Sequence, residues 1–125
     1  MLSDSEIYAV LPASDLGRAR TFYQEKLGLE PVEERSDGLI YQAKGGPKFL
    51  LYETQFAGTA QNTAMNFVTG DLDAEMSDLR SRGVTFEDYD FPGLKTENGV
   101  AEYDGGRGAW FKDSEGNILA VGEMS

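Results

Sequence analysis

The chain has 125 residues, 40% of them hydrophobic, with 22 acidic against 11 basic side chains and a formal charge of −11. It contains neither histidine nor cysteine. That composition excludes disulfides, imidazole and thiolate nucleophiles, and transition-metal sites of the usual kind, leaving oxygen donors that suit magnesium or calcium.

A single domain, 1–125, is expected at this length. The acidic charge disfavours nucleic acid and anionic membrane surfaces as partners. No run approaches the roughly 18 apolar residues of a membrane span, and the acidic start does not resemble a secretory signal. A cytoplasmic location is therefore expected. The acidic residues are dispersed, as at Asp71, Asp73, Glu75 and Asp78, and read as solvated surface rather than a docking patch.

Residues 7–14 form an apolar run that reads as a strand. Leu16, Ala19, Phe22, Tyr23 and Leu27 then recur at spacings of three and four, one face of a helix over 17–27. Ser14 or Asp15 supplies the N-cap oxygen, and Gly28 ends the helix in a left-handed turn. Strands are expected at 31–35, 39–43 and 48–54, separated by Ser36-Asp37-Gly38 and Gly45-Gly46-Pro47. Residues 55–63 are small and polar, a linker.

The second half repeats the order. Residues 64–69 read as a strand, and Asp71-Leu72 stands where Asp15-Leu16 stood, a period of about 56 residues. Leu72, Met76 and Leu79 make the helical face. Arg80 and Arg82 suit the negative end of the helix dipole, and Gly83 follows. Residues 84–86 begin a strand. The long irregular segment 90–106 reads as a flap. Residues 107–112 and 118–123 make a hairpin around 113–117. The expected architecture is α+β: two tandem βαβββ modules, about 5–54 and 64–125, joined by the linker 55–63.

Three segments resemble the vicinal oxygen chelate superfamily, which includes glyoxalase I, bleomycin and fosfomycin resistance proteins and extradiol dioxygenases. They are Asp15-Leu16 through Phe22-Tyr23 to Leu27-Gly28-Leu29, Asp71-Leu72 through Leu79 to Gly83-Val84, and the turn Phe111-Lys112-Asp113-Ser114-Glu115-Gly116-Asn117. The last is similar to the family's Phe-x-Asp-Pro-Asp-Gly-Asn, with Ser114 and Glu115 in place of its Pro and Asp. The resemblance implies strands curved into a half-open barrel around a cavity, helices outside, and commonly a homodimer. It also implies metal-ligand positions at Tyr8 (or Ala9), Met65 (or Ala64), Leu51 to Glu53, and Ala120. Only Glu53 among these coordinates well, with Glu123 a distant second. No metal and no cofactor are expected, and glyoxalase I or dioxygenase metal chemistry is disfavoured.

With Tyr8, Leu51, Met65 and Ala120 at those positions, the resemblance implies a cavity walled by aromatic, thioether and aliphatic groups. Phe91, Tyr103, Trp110 and Tyr41 are candidate wall or lid residues, whereas Phe22, Tyr23 and Phe67 read as core. Such a cavity suits a small, largely apolar or planar molecule. Glu53 and Tyr8 are the candidates for proton transfer in a metal-independent isomerase, lyase or hydrolase. The plainer readings are a solvated strand end and a packed ring. Gly105-Gly106-Arg107-Gly108 lacks the spacing of a phosphate-binding loop, and 113–117 has too few oxygen ligands for a calcium loop. Binding of a small molecule ranks first, an enzyme on the same scaffold second, and an interaction role third.

Overall fold

Asp15 and Asp71 each start a helix by the same device. The Asp15 carboxylate accepts the Arg18 backbone N–H at 3.0 Å and opens α1 (Leu16–Leu27). The Asp71 carboxylate accepts that of Ala74 at 3.1 Å and opens α2 (Leu72–Ser81). Each occupies an N–H that the helix itself leaves free. Gly28, at φ 70°, ends α1, and the Gly28 and Leu29 N–H groups return to the carbonyls of Gln24 and Tyr23. Only a residue without a Cβ takes that backbone turn without strain. These features come from a computed structural model that describes residues 1–124.

The strands of the first half are β1 (Ala9–Ala13), β2 (Glu33–Arg35), β3 (Gly38–Gln42) and β4 (Lys48–Glu53). They form one sheet in the order β1-β4-β3-β2, with β1 parallel to β4 and the other pairs antiparallel. The second half supplies β5 (Thr63–Val68), a small hairpin β6 (Asp90–Phe91) and β7 (Leu94–Lys95), then β8 (Val100–Tyr103), β9 (Gly106–Lys112) and β10 (Ile118–Met124). Its sheet runs β5-β10-β9-β8, with β5 parallel to β10. The fold is α+β, with two α-helices and mixed sheets.

The hydrogen bonding closes no barrel among the described residues. The two four-stranded sheets are separate, and β1 and β5 are edge strands. Two further differences from the sequence expectation have local causes. Residues 84–86 make a single bridge, Phe86 to Phe111, rather than a strand, because Val84 and Phe86 are drawn into the core and Glu87 bonds the Trp110 carbonyl. Segment 90–106 is ordered by the β6–β7 hairpin and by β8. Its turn, Phe91-Pro92-Gly93-Leu94, has Gly93 at φ 87°, the geometry that Pro followed by Gly provides.

One hydrophobic cluster draws on both halves, uniting Leu11, Tyr23, Tyr41, Phe49 and Leu51 with Leu72, Met76, Phe111, Leu119 and Val121. Burying side chains of this size contributes about 1.5–3 kcal/mol each. Polar groups fasten the same seam. The Tyr23 hydroxyl donates to Asp113 at 2.7 Å, and the Asn117 amide donates to the Pro12 carbonyl and to Asp113. The fully buried Glu115 carboxylate accepts the N–H groups of Ser14 and Asp15 and the guanidinium of Arg18. The β9–β10 turn is thereby clasped to the start of α1. Glu123 does the same for α2, accepting the Leu72 N–H at 2.8 Å, with Arg107 alongside. No helix is long and apolar enough to cross a membrane.

Candidate functional site

The face of the second sheet turned away from the helices carries small residues. Two rows define it. Trp110, Ala120 and Asn66 lie side by side across β9, β10 and β5, and the next row is Ala101, Gly108, Gly122 and Val68 across β8, β9, β10 and β5. Adjacent strands lie about 4.8 Å apart, so Trp110 and Asn66 flank Ala120 roughly 10 Å from each other. The alternate residues Phe111, Leu119, Val121 and Ala109 fill the core on the opposite face.

A cleft of about 390 Å³ results, floored by Ala101, Gly108, Ala120 and Gly122, walled by Trp110 and Tyr103, and bordered by Gly93, Leu94 and Lys95 of the β6–β7 hairpin. The floor is small by necessity. A Cβ at Gly108 would stand 3.4 Å from the Tyr103 ring and hydroxyl, and one at Gly122 would stand 3.3 Å from the Asn66 side-chain oxygen. The volume lies within the range of small-molecule sites.

The walls are held in place. Trp110 Nε1 donates to the Thr63 hydroxyl at 3.1 Å, and the Tyr103 hydroxyl donates to the Arg107 carbonyl at 3.2 Å. Tyr89 packs edge-on against Trp110 at 5.8 Å and stacks on Phe91, so an aromatic chain runs from the cleft wall into the hairpin. Asp88 anchors the hairpin base by accepting the Thr96 hydroxyl and the Gly99 N–H. The Thr96 and Gly99 bonds hold its carboxyl below the usual carboxylate range, against a smaller opposing effect of burial. The Asn66 side-chain amide has no hydrogen-bond partner among the described residues.

A second cleft, about 560 Å³, opens beside the starts of β1 and β5, lined by Ile7, Tyr8, Phe49, Met65, Phe67 and Val68, with Lys44 and Lys48 at its border. Asn66 is the one residue that lines both clefts.

The sequence-derived candidates therefore divide. Trp110, Tyr103 and Ala120 share the first cleft. Tyr8 and Met65 line the second; Met65 stands opposite Leu119 and packs against the core. Leu51 is fully buried, because its register with Leu11 and Leu39 turns it toward the helices, so it contacts neither cleft. Tyr41 is likewise a core ring, stacked on Phe49 at 5.1 Å, not a wall. Glu53 lies at the exposed end of β4 and lines neither cleft, and Phe91 is a largely exposed hairpin residue. Neither Glu53 nor Tyr8 meets Trp110. Sequence reasoning missed Asn66, Thr63 and Tyr89. The alternation of β5 about Phe67 carries a signal for Asn66, but nothing local distinguishes the other two.

Residues 7–121 match the sequence profile of the Glyoxalase/Bleomycin resistance protein/Dioxygenase superfamily. The chain belongs to that superfamily. Among solved structures similar to this superfamily member is TnmS3, an antibiotic binding protein from Streptomyces sp. CB03234, at 25% identity over 100% of this chain and 99% of that one, TM-score 0.69. A glyoxalase/bleomycin resistance protein from Catenulispora acidiphila is 28% identical over 96% and 98% of the two chains, TM-score 0.66. The fosfomycin resistance protein FosX from Listeria monocytogenes shares the fold, at 16% identity over 98% and 94%, TM-score 0.70. No curated protein matches the chain.

Metal-binding members of the superfamily need donors on this concave surface, and the residues present do not fit one. Ala120 has no donor atom, Trp110 offers none, and Asn66 brings one amide oxygen. Glu123 is committed to Leu72 and Arg107. Among the described residues no three acidic side chains gather closely enough to hold an ion.

Proposed function

We propose that the chain binds a small, largely apolar or aromatic organic molecule in the cleft over Ala120, without a metal ion. The observation that carries this reading is the floor of Ala101, Gly108, Ala120 and Gly122, which leaves a flat recess beside the rings of Trp110 and Tyr103. A ring system buried there removes about 150 Å² of apolar surface from water, worth roughly 4 kcal/mol. Stacking adds about 0.5–1.5 kcal/mol. Dissociation constants on the order of 0.1–1 mM are expected for a bare bicyclic ring, tighter where polar groups are matched. The similarity to an antibiotic binding protein supports the same reading.

The homodimer implied by the family resemblance is part of this proposal. Val10 and Tyr52 leave an apolar, uncovered strip on the outer face of the first sheet, suited to a second copy. Sedimentation at micromolar concentration checks it, and a monomer throughout would remove it.

Trp110 is the only tryptophan, so its fluorescence reports on the cleft directly. Titration with a panel of planar bicyclic and tricyclic compounds is expected to give saturable quenching by some members, abolished in Ala120→Leu. A panel with no effect on Trp110 emission would end the proposal.

A further inference from the structure

The two clefts meet at Asn66, and nothing so far uses the second. Its lining is apolar (Ile7, Tyr8, Phe49, Met65, Phe67, Val68), and its border carries Lys44 and Lys48. Both lysines belong to or follow the β3–β4 turn, which is fastened by the Gly46 N–H to the Ala43 carbonyl at 2.8 Å and by the Gln42 amide to the Gly46 carbonyl at 2.7 Å. Arg18, Arg20, Arg35, Arg82, Arg107 and Lys112 each pair with a carboxylate. Lys44 and Lys48 pair with none among the described residues, in a chain with twice as many acidic as basic side chains. A cation pair left free at the mouth of an apolar cleft complements a molecule that is apolar along its length and negative at its end.

Asn66 stands between this cleft and the recess beside Trp110. Its amide offers two donor hydrogens and one acceptor oxygen, none engaged within the chain. A ligand passing from one cleft to the other must cross it, and an amide or carbonyl in the ligand would match it.

We infer that the two clefts form one bipartite site for an elongated amphipathic molecule. Its flat ring system lies over Ala120, an amide or carbonyl meets Asn66, and an apolar arm ends in a carboxylate or similar anion at Lys44 and Lys48. This inference rests on the binding function proposed for the first cleft and names the class of ligand.

Three synthetic probes test it by Trp110 quenching: N-methyl-2-naphthamide, N-hexyl-2-naphthamide and 6-(2-naphthamido)hexanoate. The inference expects affinity to rise when the hexyl arm is added, and to rise about tenfold more when that arm ends in carboxylate. Lys44→Gln with Lys48→Gln is expected to remove the gain from the carboxylate alone and leave the hexyl amide unchanged. Asn66→Leu is expected to weaken all three amides at least fivefold, with an unchanged thermal melting curve showing an intact fold. If the short amide binds while the hexanoate binds no tighter, or if the double lysine variant leaves the preference intact, the bipartite site is overturned and the first cleft stands. If no probe quenches Trp110, the binding function itself fails and this inference falls with it.

Discussion

Glu115→Gln should destabilise the chain by about 3 kcal/mol at neutral pH, and the loss should vanish in acid. The wild-type carboxylate is fully buried. Burial opposes its charge, yet the Arg18 guanidinium, the Asp15 N–H and the Ser114 hydroxyl outweigh that and hold its pKa at about 2, against 4.5 for a free glutamate. A shift of about 2.5 units corresponds to roughly 3 kcal/mol favouring the folded, ionised form. Because the folded value is the lower one, this stability is fully present above about pH 4.5 and is lost as pH falls toward 2. Glutamine keeps the size but not the charge, so it forfeits the strong bonds to Arg18 and leaves a donor facing the N–H groups of Ser14 and Asp15. The half-exposed Arg18 is resolvated in the variant, which keeps the cost below that of stranding a buried cation. Urea unfolding of both proteins at pH 7, 5, 4 and 3 measures the difference. A gap that stays constant from pH 7 to 3, or one under 0.5 kcal/mol at pH 7, would refute the reasoning.

Three further outcomes follow from the same geometry. Ala120→Leu fills the recess between Trp110 and Asn66 from a solvent-side position, so calorimetry should show lost ligand binding and less than about 1.5 kcal/mol of destabilisation. Tyr23→Phe removes the 2.7 Å bond to Asp113, whose second oxygen keeps the Ser114–Asn117 turn, and denaturant unfolding should register a loss of about 1–3 kcal/mol. Asp88→Ala frees Thr96 and Gly99, and hydrogen exchange in the β6–β7 hairpin should rise severalfold while α1 and α2 are unaffected. In the wild type the same loosening should appear only as pH falls through the depressed Asp88 value, since the ionised form is the one that holds Thr96.

How far the sequence was legible depended on whether the determining contact was local. Asp15, Gly28 and Asp71 mark helix ends by bonds that span a few residues, and the structure places α1 and α2 where their spacing predicts. The strands of the first sheet and the β9–β10 hairpin likewise follow from alternation and from turn residues close in sequence. Glu115 reads as one residue of a polar turn, because its partners Ser14, Asp15 and Arg18 lie about a hundred positions away. The β6–β7 hairpin is too short for alternation to show and exists through the Asp88–Thr96 anchor. Leu51 and Tyr41 illustrate the other limit. An apolar residue on a strand is equally suited to core or cavity, and only the pairing of β4 with β1 and β3 sends both toward the helices. Asn66 was passed over for its neighbour Met65, a slip of one residue that exchanges the two faces of a strand.

The central claim is that a metal-free recess beside Trp110 holds an organic guest. A crystal structure of the chain with its tightest-binding planar compound tests this most directly. The account predicts density for that compound lying flat over Ala120 and Gly122, in contact with Trp110 and Tyr103 and with no metal ion beside it. Density for the compound anywhere else, or a metal ion coordinated on the concave sheet face, would contradict it.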